Sequence, residues 1–328
     1  MKSVTKAVLT EEKVRTLTEK AFPGEEITEV RELTEGMFNT AYFVKGSGAL
    51  ERGAVLKVGP AEGTKVLTYE KDIIKTEIAM YKALEPTAVP VPRVLFEDDS
   101  KSDIPSTYFF MDYIPGVLWK DAEEEKLKAC RPALMRQVGK IFSETHSVLG
   151  THFGYIKEDP HYRFTSWSEA YKGMLTDICE DGRRGGKDLP YGEILAMADK
   201  YRGVLDEVKE PHLVNFDMWA GNIMLRDEGE TYTVCGVFDL ERAFFGDPCA
   251  DFISSVMVFD DVTNEPDLAY GYEGELPLSG NASIRMDLYR LYLMLIMFVE
   301  TYRFDEEYAK GTEGWIRPIL NELLKKLG

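Results

Sequence analysis

Cysteine is scarce in this 328-residue chain. Its four thiols, Cys130, Cys179, Cys235 and Cys249, stand far apart and form no CxxC pair. That spacing argues against a zinc site and against a disulfide scaffold, and it points to a reducing compartment. The four histidines do not cluster either. Basic residues are in the minority, with 39 Lys and Arg against 57 Asp and Glu and a net charge of −18. Gripping a nucleic acid backbone needs a basic face, so no nucleic acid partner is expected. An acidic field favours cationic ligands, although charge this diffuse equally serves solubility. Long apolar runs are missing as well. The longest, Leu291 to Val299, is bounded by Arg290 and Glu300 and is too short to span a bilayer. Met1 to Leu17 alternates apolar and charged residues and lacks the apolar stretch of a signal peptide. No membrane partner is expected, and the expected location is cytoplasmic. No repeat or low-complexity segment is evident. What is present is apolar material, 44% of the chain, enough to fill a sizeable core.

The first third reads as a sheet with one or two helices. Residues 11–21 form an amphipathic helix. Ile27 to Leu33, Thr40 to Lys45 and Ala54 to Val58 are strand-like. Ile73, Glu77, Met80, Tyr81 and Leu84 recur at helical spacing, and Val89-Pro90-Val91-Pro92 ends that stretch. Arg93 to Glu97 and Ser106 to Met111 are two more strands. The remainder is mainly helical: one helix carries Leu134, Val138, Ile141, Phe142, Thr145 and Leu149, and others cover 166–180, 191–208, 284–303 and 313–327. Asp181 to Lys187 reads as a flexible polar loop. The composition shift near residue 113 sets the expected domain boundary, 1–113 and 114–328. A single hairpin, Asn222 to Arg226 and Tyr232 to Phe238, interrupts the helical part, with Asp227-Glu228-Gly229-Glu230 as its turn.

That hairpin carries the sharpest signal. Asp217 precedes it, Asn222 opens it and Asp239 follows it. Antiparallel pairing about residue 229 puts Asp239 roughly opposite residue 218, so the three side chains share one small volume. Two carboxylates and an amide oxygen are hard ligands suited to Mg²⁺, with one carboxylate left as a base. Asp and Asn also serve as turn formers at strand ends, so each alone says little. Lys57 lies on an apolar strand, where lysine usually faces solvent. Glu77, however, shares a helical face with Ile73, Met80, Tyr81 and Leu84. A carboxylate there is costly unless paired, and Lys57 is an economical partner. Such a pair can hold an ammonium toward nucleotide phosphates.

These residues carry a resemblance. Leu213-Val214-Asn215-Phe216-Asp217-Met218-Trp219-Ala220-Gly221-Asn222-Ile223 resembles the HGDxxxxN catalytic loop of the aminoglycoside phosphotransferase and choline kinase family. Val237-Phe238-Asp239-Leu240-Glu241, followed by Gly246-Asp247-Pro248-Cys249-Ala250-Asp251, resembles its IDWE…GDPxxD signature. Val89-Pro90-Val91-Pro92 matches its VPxP stretch, Met111 to Gly116 its hinge, and Glu144-Thr145-His146 the end of its LAxLH helix. The pieces occur in order between about residues 30 and 255. The resemblance implies an α+β, two-lobed protein-kinase-like fold, with a small N-terminal antiparallel sheet lobe and a larger, mainly helical C-terminal lobe. It implies transfer of a γ-phosphoryl group from ATP or GTP, with Mg²⁺, to a small-molecule hydroxyl. By motif position Asp217 is the catalytic base, and Asn222 and Asp239 are the metal ligands. Lys57 contacts the phosphates with Glu77 holding it, and Met111, Tyr113 and Ile114 line the adenine side. Gly36 and Asn39 are nucleotide-loop candidates.

Three departures stand out. Asn215 replaces the family's His and Phe216 its Gly; Thr34 to Thr40 holds one glycine; Leu240 replaces Trp. Gly246, Asp247 and Asp251 read as supports of the loop, and His146 as a satisfied helix histidine. Asp177, Glu180 and Asp181, with Glu265 and Asp267, are expected to greet a cationic acceptor. The acceptor is expected to be an aminoglycoside-like antibiotic, or alternatively choline, a sugar or an amino alcohol. The changed catalytic loop leaves a nucleotide-binding pseudoenzyme as a further alternative. Nothing after Asp239 resembles the activation loop of a protein kinase.

Overall fold

The computed structural model describes residues 5–34, 36, 38–255, 261–272 and 275–328. The first helix, α1 (Glu11–Ala21), starts where its sequence says it should. Thr10 accepts the Lys13 amide at 3.3 Å, Glu11 and Glu12 occupy the first turn, and Lys20 the last. Each complements the helix dipole or an orphan amide. Then come β1 (Ile27–Leu33), β2 (Thr40–Gly46), β3 (Ala54–Val58), α2 (Ile73–Leu84), β4 (Val94–Asp98) and β5 (Tyr108–Asp112). The strands form one antiparallel sheet in the order β1-β2-β3-β5-β4.

Strand alternation divides this sheet into two faces. Ala54, Leu56 and Val58 of β3 turn to one side, with Tyr108 and Phe110 of β5, and bury Val14 and Leu17 of α1. Val55 turns to the other side with Phe109 and Met111, into a core shared with Ile73, Ile74, Ile78 and Tyr81 of α2. Lys57 follows the second set. Because β3 is the middle strand and both faces are covered, Lys57 is only 5% exposed, against the usual habit of a strand lysine.

The larger lobe holds β6 (Val117–Leu118), α3 (Glu124–Ser147), β7 (Gly154–Tyr155), α4 (Trp167–Arg184), α5 (Tyr191–Lys200), α6 (Arg202–Leu205), β8 (His212–Val214), β9 (Ile223–Asp227), β10 (Tyr232–Val237), β11 (Phe244–Gly246), α7 (Asp251–Ser254), α8 (Pro266–Gly271), α9 (Ala282–Val299) and α10 (Glu306–Leu327). Two small three-stranded sheets, β10-β9-β6 and β7-β11-β8, carry the loops that matter below. The apolar run Leu291 to Val299 is a buried core helix. Among the described residues no helix is long and apolar enough to cross a membrane.

Several expected bounds shift. Helix α3 begins at Glu124 and stops before Leu149. Helix α4 continues through the expected polar loop as far as Arg184, because Asp181 is buried and hydrogen-bonded rather than solvated. The expected helix 191–208 breaks into α5 and α6, and α10 starts at Glu306.

Helices α3 and α8 touch backbone to backbone. A Cβ on Gly139 would lie 2.1 Å from the Leu268 carbonyl oxygen. Glycine to alanine inside a helix ordinarily gains about 1 kcal/mol. Here the clash must push two helices apart, so Gly139→Ala is expected to cost a net 1–3 kcal/mol or so. Urea denaturation checks this; an unchanged midpoint would mean that the helices separate freely.

Candidate active site

The cleft is built first from the small lobe. Lys57 Nζ lies 2.7 Å from Glu77 Oε2 and 2.9 Å from Oε1, and the Tyr81 hydroxyl, one turn along α2, donates to Glu77 at 2.7 Å. Lys57 also pairs with Asp239 and lies 3.8 Å from Glu241 Oε2. Burial alone would depress the ammonium. Asp239, Glu77 and Glu241 together outweigh it and hold Lys57 above the ordinary lysine value. Burial likewise raises the Glu77 carboxyl, against the pull of Lys57.

The large lobe supplies the opposite wall. After β8 the chain turns sharply at Phe216, whose φ of 59° lies in the left-handed region. Glycine adopts that conformation freely and phenylalanine does not. What holds it is burial: Phe216 packs against Phe244 (5.3 Å) and Tyr292 (6.0 Å between ring centroids). One buried carboxylate pins the same turn, since Asp251 accepts the Phe216 amide at 2.7 Å and the Asn215 amide at 3.2 Å. Asp251 also meets His146 Nε2 at 2.9 Å, and the Tyr272 hydroxyl meets Nδ1 at 2.9 Å, so His146 is satisfied on both sides.

Asp217 and Asn222 then stand together. The Asn222 amide donates to the Asp217 main-chain oxygen at 2.9 Å and to its carboxylate at 3.2 Å. The hairpin returns Asp239 with a different register from the one expected. Tyr232 pairs with Asp227, so the turn centres between Gly229 and Glu230, and a bulge at Cys235 adds one residue more, so that Val237 faces Ile223 and Asp239 follows level with Gly221 rather than residue 218. The Val237 amide is tied to the Pro90 carbonyl at 2.8 Å, so the Val-Pro-Val-Pro stretch steadies this end of the hairpin. Asp239 itself takes φ 54°. Two non-glycine residues in this region, at about 1–3 kcal/mol each, flank the site, a common pattern in strained functional loops.

Negative charge is in surplus here. Asp217, Glu77, Asp239, Glu241, Glu300 and Glu70 meet three cations, Lys57, Arg242 and Arg303. Arg242 reaches Asp217 at 3.5 Å and Glu300 at 3.3 Å. Burial pushes the Asp217 carboxyl up to about 6, opposed by Arg242 and reinforced by Asp239. Burial pushes Glu241 up to about 8, against Lys57 and with Asp239. A divalent cation relieves such a surplus. Among the described residues no three His, Cys, Asp or Glu side chains are arranged to enclose a metal. The fit is instead to a hard ion held by one carboxylate and one amide oxygen, completed by water and phosphate, as Mg²⁺ prefers. With its nitrogen committed to Asp217, Asn222 has its oxygen to offer, and Asp239 keeps 46% of its side chain open.

The other expected residues are scattered along the cleft. Asn39 is buried and donates to Glu241 across the lobes. Gly36 is exposed, and Glu35 and Met37 of the same loop lie outside the described residues. Met111 is buried at the end of β5. The Tyr113 ring meets Phe43 edge-on at 4.7 Å, and its amide is directed at the Gly53 carbonyl at 3.4 Å; Ile114 follows it, half-buried. The acids expected to greet a cationic acceptor each have a partner within the protein, Glu180 facing Arg184 at 3.8 Å. Asp177 pairs with His161, Asp181 with Thr68 and Arg184, Glu265 with Arg131 and Asp267 with Arg136, the last two against α3. Arg242 and Glu300 lie outside the quoted motifs and Glu241 inside one, while Asp251 is the loop support that its motif position implies.

The sequence profile of the phosphotransferase enzyme family matches residues 29–286. A probable ketoamine kinase of Staphylococcus aureus is 25% identical over 262 residues, which is 75% of this chain and 81% of that protein. Acyl-CoA dehydrogenase family member 10 of Mus musculus is 25% identical over 241 residues, 70% of this chain; the match covers only 20% of that longer protein. Among solved structures, a putative fructosamine-3-kinase from Thermobifida fusca superposes with a TM-score of 0.68 at 16% identity, covering 97% of this chain and 100% of that one. A thermostable mutant of aminoglycoside phosphotransferase APH(4)-Ia, in ternary complex with ADP and hygromycin B, gives 0.66 at 17% identity, covering 95% and 98%. At such identities the likeness establishes the fold, two lobed and kinase-like.

Proposed function

This chain belongs to the phosphotransferase enzyme family, and on that premise we propose that it transfers the γ-phosphoryl group of ATP or GTP to a hydroxyl of a small, amine-bearing polyol. The observation that supports this best is the convergence of Lys57–Glu77 from the small lobe with Asp217, Asn222 and Asp239 from the large one. In this reading Lys57 binds the α- and β-phosphates, and Glu77 keeps its ammonium in place. Asp217 orients the acceptor hydroxyl and takes its proton. Asn222 and Asp239 hold Mg²⁺, which supplies charge neutralisation on the transferring phosphates. Little covalent work is left to the protein; positioning and electrostatics carry the reaction.

The relatives support this acceptor class. A ketoamine kinase, a fructosamine kinase and an aminoglycoside phosphotransferase share hydroxyl-rich, amine-bearing acceptors. The net charge of −18 favours such cations in general. The Asp177, Asp181, Glu265 and Asp267 carboxylates already have partners, so this reading assigns them no acceptor contact.

Thermal-shift measurements test the reading. ATP or GTP with Mg²⁺ is expected to raise the unfolding midpoint, EDTA to remove that shift, and one acceptor from panels of aminoglycosides, fructosamines, choline analogues and sugars to raise it further. Asp239→Ala is expected to lose the Mg²⁺-dependent part of the nucleotide shift. An undiminished shift in that variant would sink the metal role of Asp239, and no shift in the wild type would favour a protein that does not bind nucleotide.

A further inference from the structure

Between β3 and α2 the chain leaves the small lobe and runs along the large one. Three consecutive side chains of this segment reach three different places there. The Thr68 amide and hydroxyl donate to Asp181 at 2.6 and 3.0 Å. The Tyr69 ring stacks on Tyr155 at 5.8 Å. Glu70, 3% exposed, accepts Arg303 Nη2 at 2.6 Å on one oxygen and the Leu67 amide at 2.8 Å on the other. Lys157 adds donors to the Tyr69 and Lys71 carbonyls. The two ends of this strap lead to Lys57 and to Glu77.

Two chains of contact run from the strap to the catalytic loop. One is ionic. Arg303 bridges Glu70 and Glu300, the second at 3.3 Å; Glu300 meets Arg242 at 3.3 Å; Arg242 meets Asp217 at 3.5 Å. The other is aromatic. Tyr69 stacks on Tyr155, the Tyr155 and Tyr292 hydroxyls hydrogen-bond, and Tyr292 stacks on Phe216, the residue before Asp217. The Arg303 guanidinium also lies 5.2 Å over the Phe38 ring, in the turn between β1 and β2.

We infer that Glu70 and Arg303 are positioning residues, which set the stance of the Asp217 carboxylate through Glu300 and Arg242 and so couple the seating of donor phosphates at Lys57 to the acceptor side. This inference rests on the phosphotransfer reading above. The reason is a division of charge. Arg242 serves two carboxylates, one with each terminal nitrogen, and Glu300 is shared between two arginines. Take Arg303 away and Glu300 has one cation left. It draws Arg242 toward itself and off Asp217, whose contact is already the longer one. A purely structural tie between lobes has no such dependence on Glu300.

The test measures Mg²⁺-dependent hydrolysis of ATP and GTP, with water in the acceptor's place, on the full chain. Glu70→Gln with Arg303→Met removes both charges together, so no lone buried charge is left to unfold the protein. This double variant is expected to lower kcat about 10- to 100-fold, the scale of a small misplacement at the reacting centre. Its nucleotide KM is expected to stay within about twofold, which separates positioning from binding. Adding Glu300→Gln frees Arg242 for Asp217 and is expected to restore most of kcat. A double variant with unchanged kcat overturns the inference, and so does a loss that Glu300→Gln leaves untouched. Wild-type protein that turns over neither nucleotide, with or without the acceptor panel, overturns the phosphotransfer reading itself; active wild type with an unaffected double variant overturns only the coupling.

Discussion

Asp217→Ala is expected to lower kcat by about 10²- to 10⁴-fold, the range for loss of a positioned general base, in protein that folds at least as well as the wild type. Both halves follow from the contacts. In the proposed reading Asp217 is the base, and it stands beside Asn222 with 22% of its side chain exposed, enough for a hydroxyl to reach it. Its removal strands nothing. Arg242 keeps Glu300, and Asn222 keeps the main-chain oxygen of residue 217. The site also loses one negative charge from a cluster that has too many, so the unfolding midpoint is expected to hold or rise. Nucleotide binding is expected to persist, because Lys57, Glu77 and Asp239 are untouched. Steady-state kinetics with nucleotide titration, run beside a melting curve, checks all three expectations. A kcat within about tenfold of wild type would remove Asp217 from the base role, whatever the nucleotide affinity.

Helix α1 was legible because it buries a single stripe and carries its own cap, and α2 because apolar residues recur at 3.6-residue spacing, although its burial extends well beyond that stripe to Ile74, Thr76 and Ile78. Strand β3 was legible too, but the fate of Lys57 was not settled by it. Alternation names the face, and only the helix laid over that face decides whether the face is wet. The two- and three-residue strands β6, β7, β8 and β11 have no legible signal, since so few residues cannot display a period. Helix α4 ran past its expected end because Asp181 and Gly182, polar and flexible by composition, are held by Thr68 and packed against Tyr191. The same limit applies to the site. Asp217, Asn222 and Asp239 lie within one hairpin, so local pairing collects them, though the bulge at Cys235 moves the register. Arg242 and Glu300 are 58 residues apart, and Arg303 and Glu70 are 233 apart. Pairs like these carry no local signature. Phe216, where the family has glycine, is a left-handed phenylalanine anchored by aromatic packing, a core residue beside the loop.

That anchoring makes Asp251 the residue whose loss is expected to cost the most stability. Its carboxylate is 0% exposed and serves three partners: the Phe216 amide on one oxygen, and the Asn215 amide and His146 on the other. Alanine leaves all of these buried groups without their acceptor, and each orphan costs about 1–3 kcal/mol. Phe216 would at the same time be free to leave a strained conformation that nothing else holds by hydrogen bond at its amide. Asp251→Ala is therefore expected to lose about 3–5 kcal/mol and to be poorly active even where it remains folded, because the loop that presents Asp217 relaxes. Asp251→Asn separates the contributions. A carboxamide has one oxygen; if it keeps the Phe216 amide, its NH₂ faces the Asn215 amide donor to donor, while His146 can still be met. The asparagine variant is expected to fall between wild type and alanine in the urea midpoint, with kcat following the same order. If alanine were as stable as wild type, the turn at Phe216 would be held by its aromatic neighbours alone, and Asp251 would have no part in placing the catalytic loop.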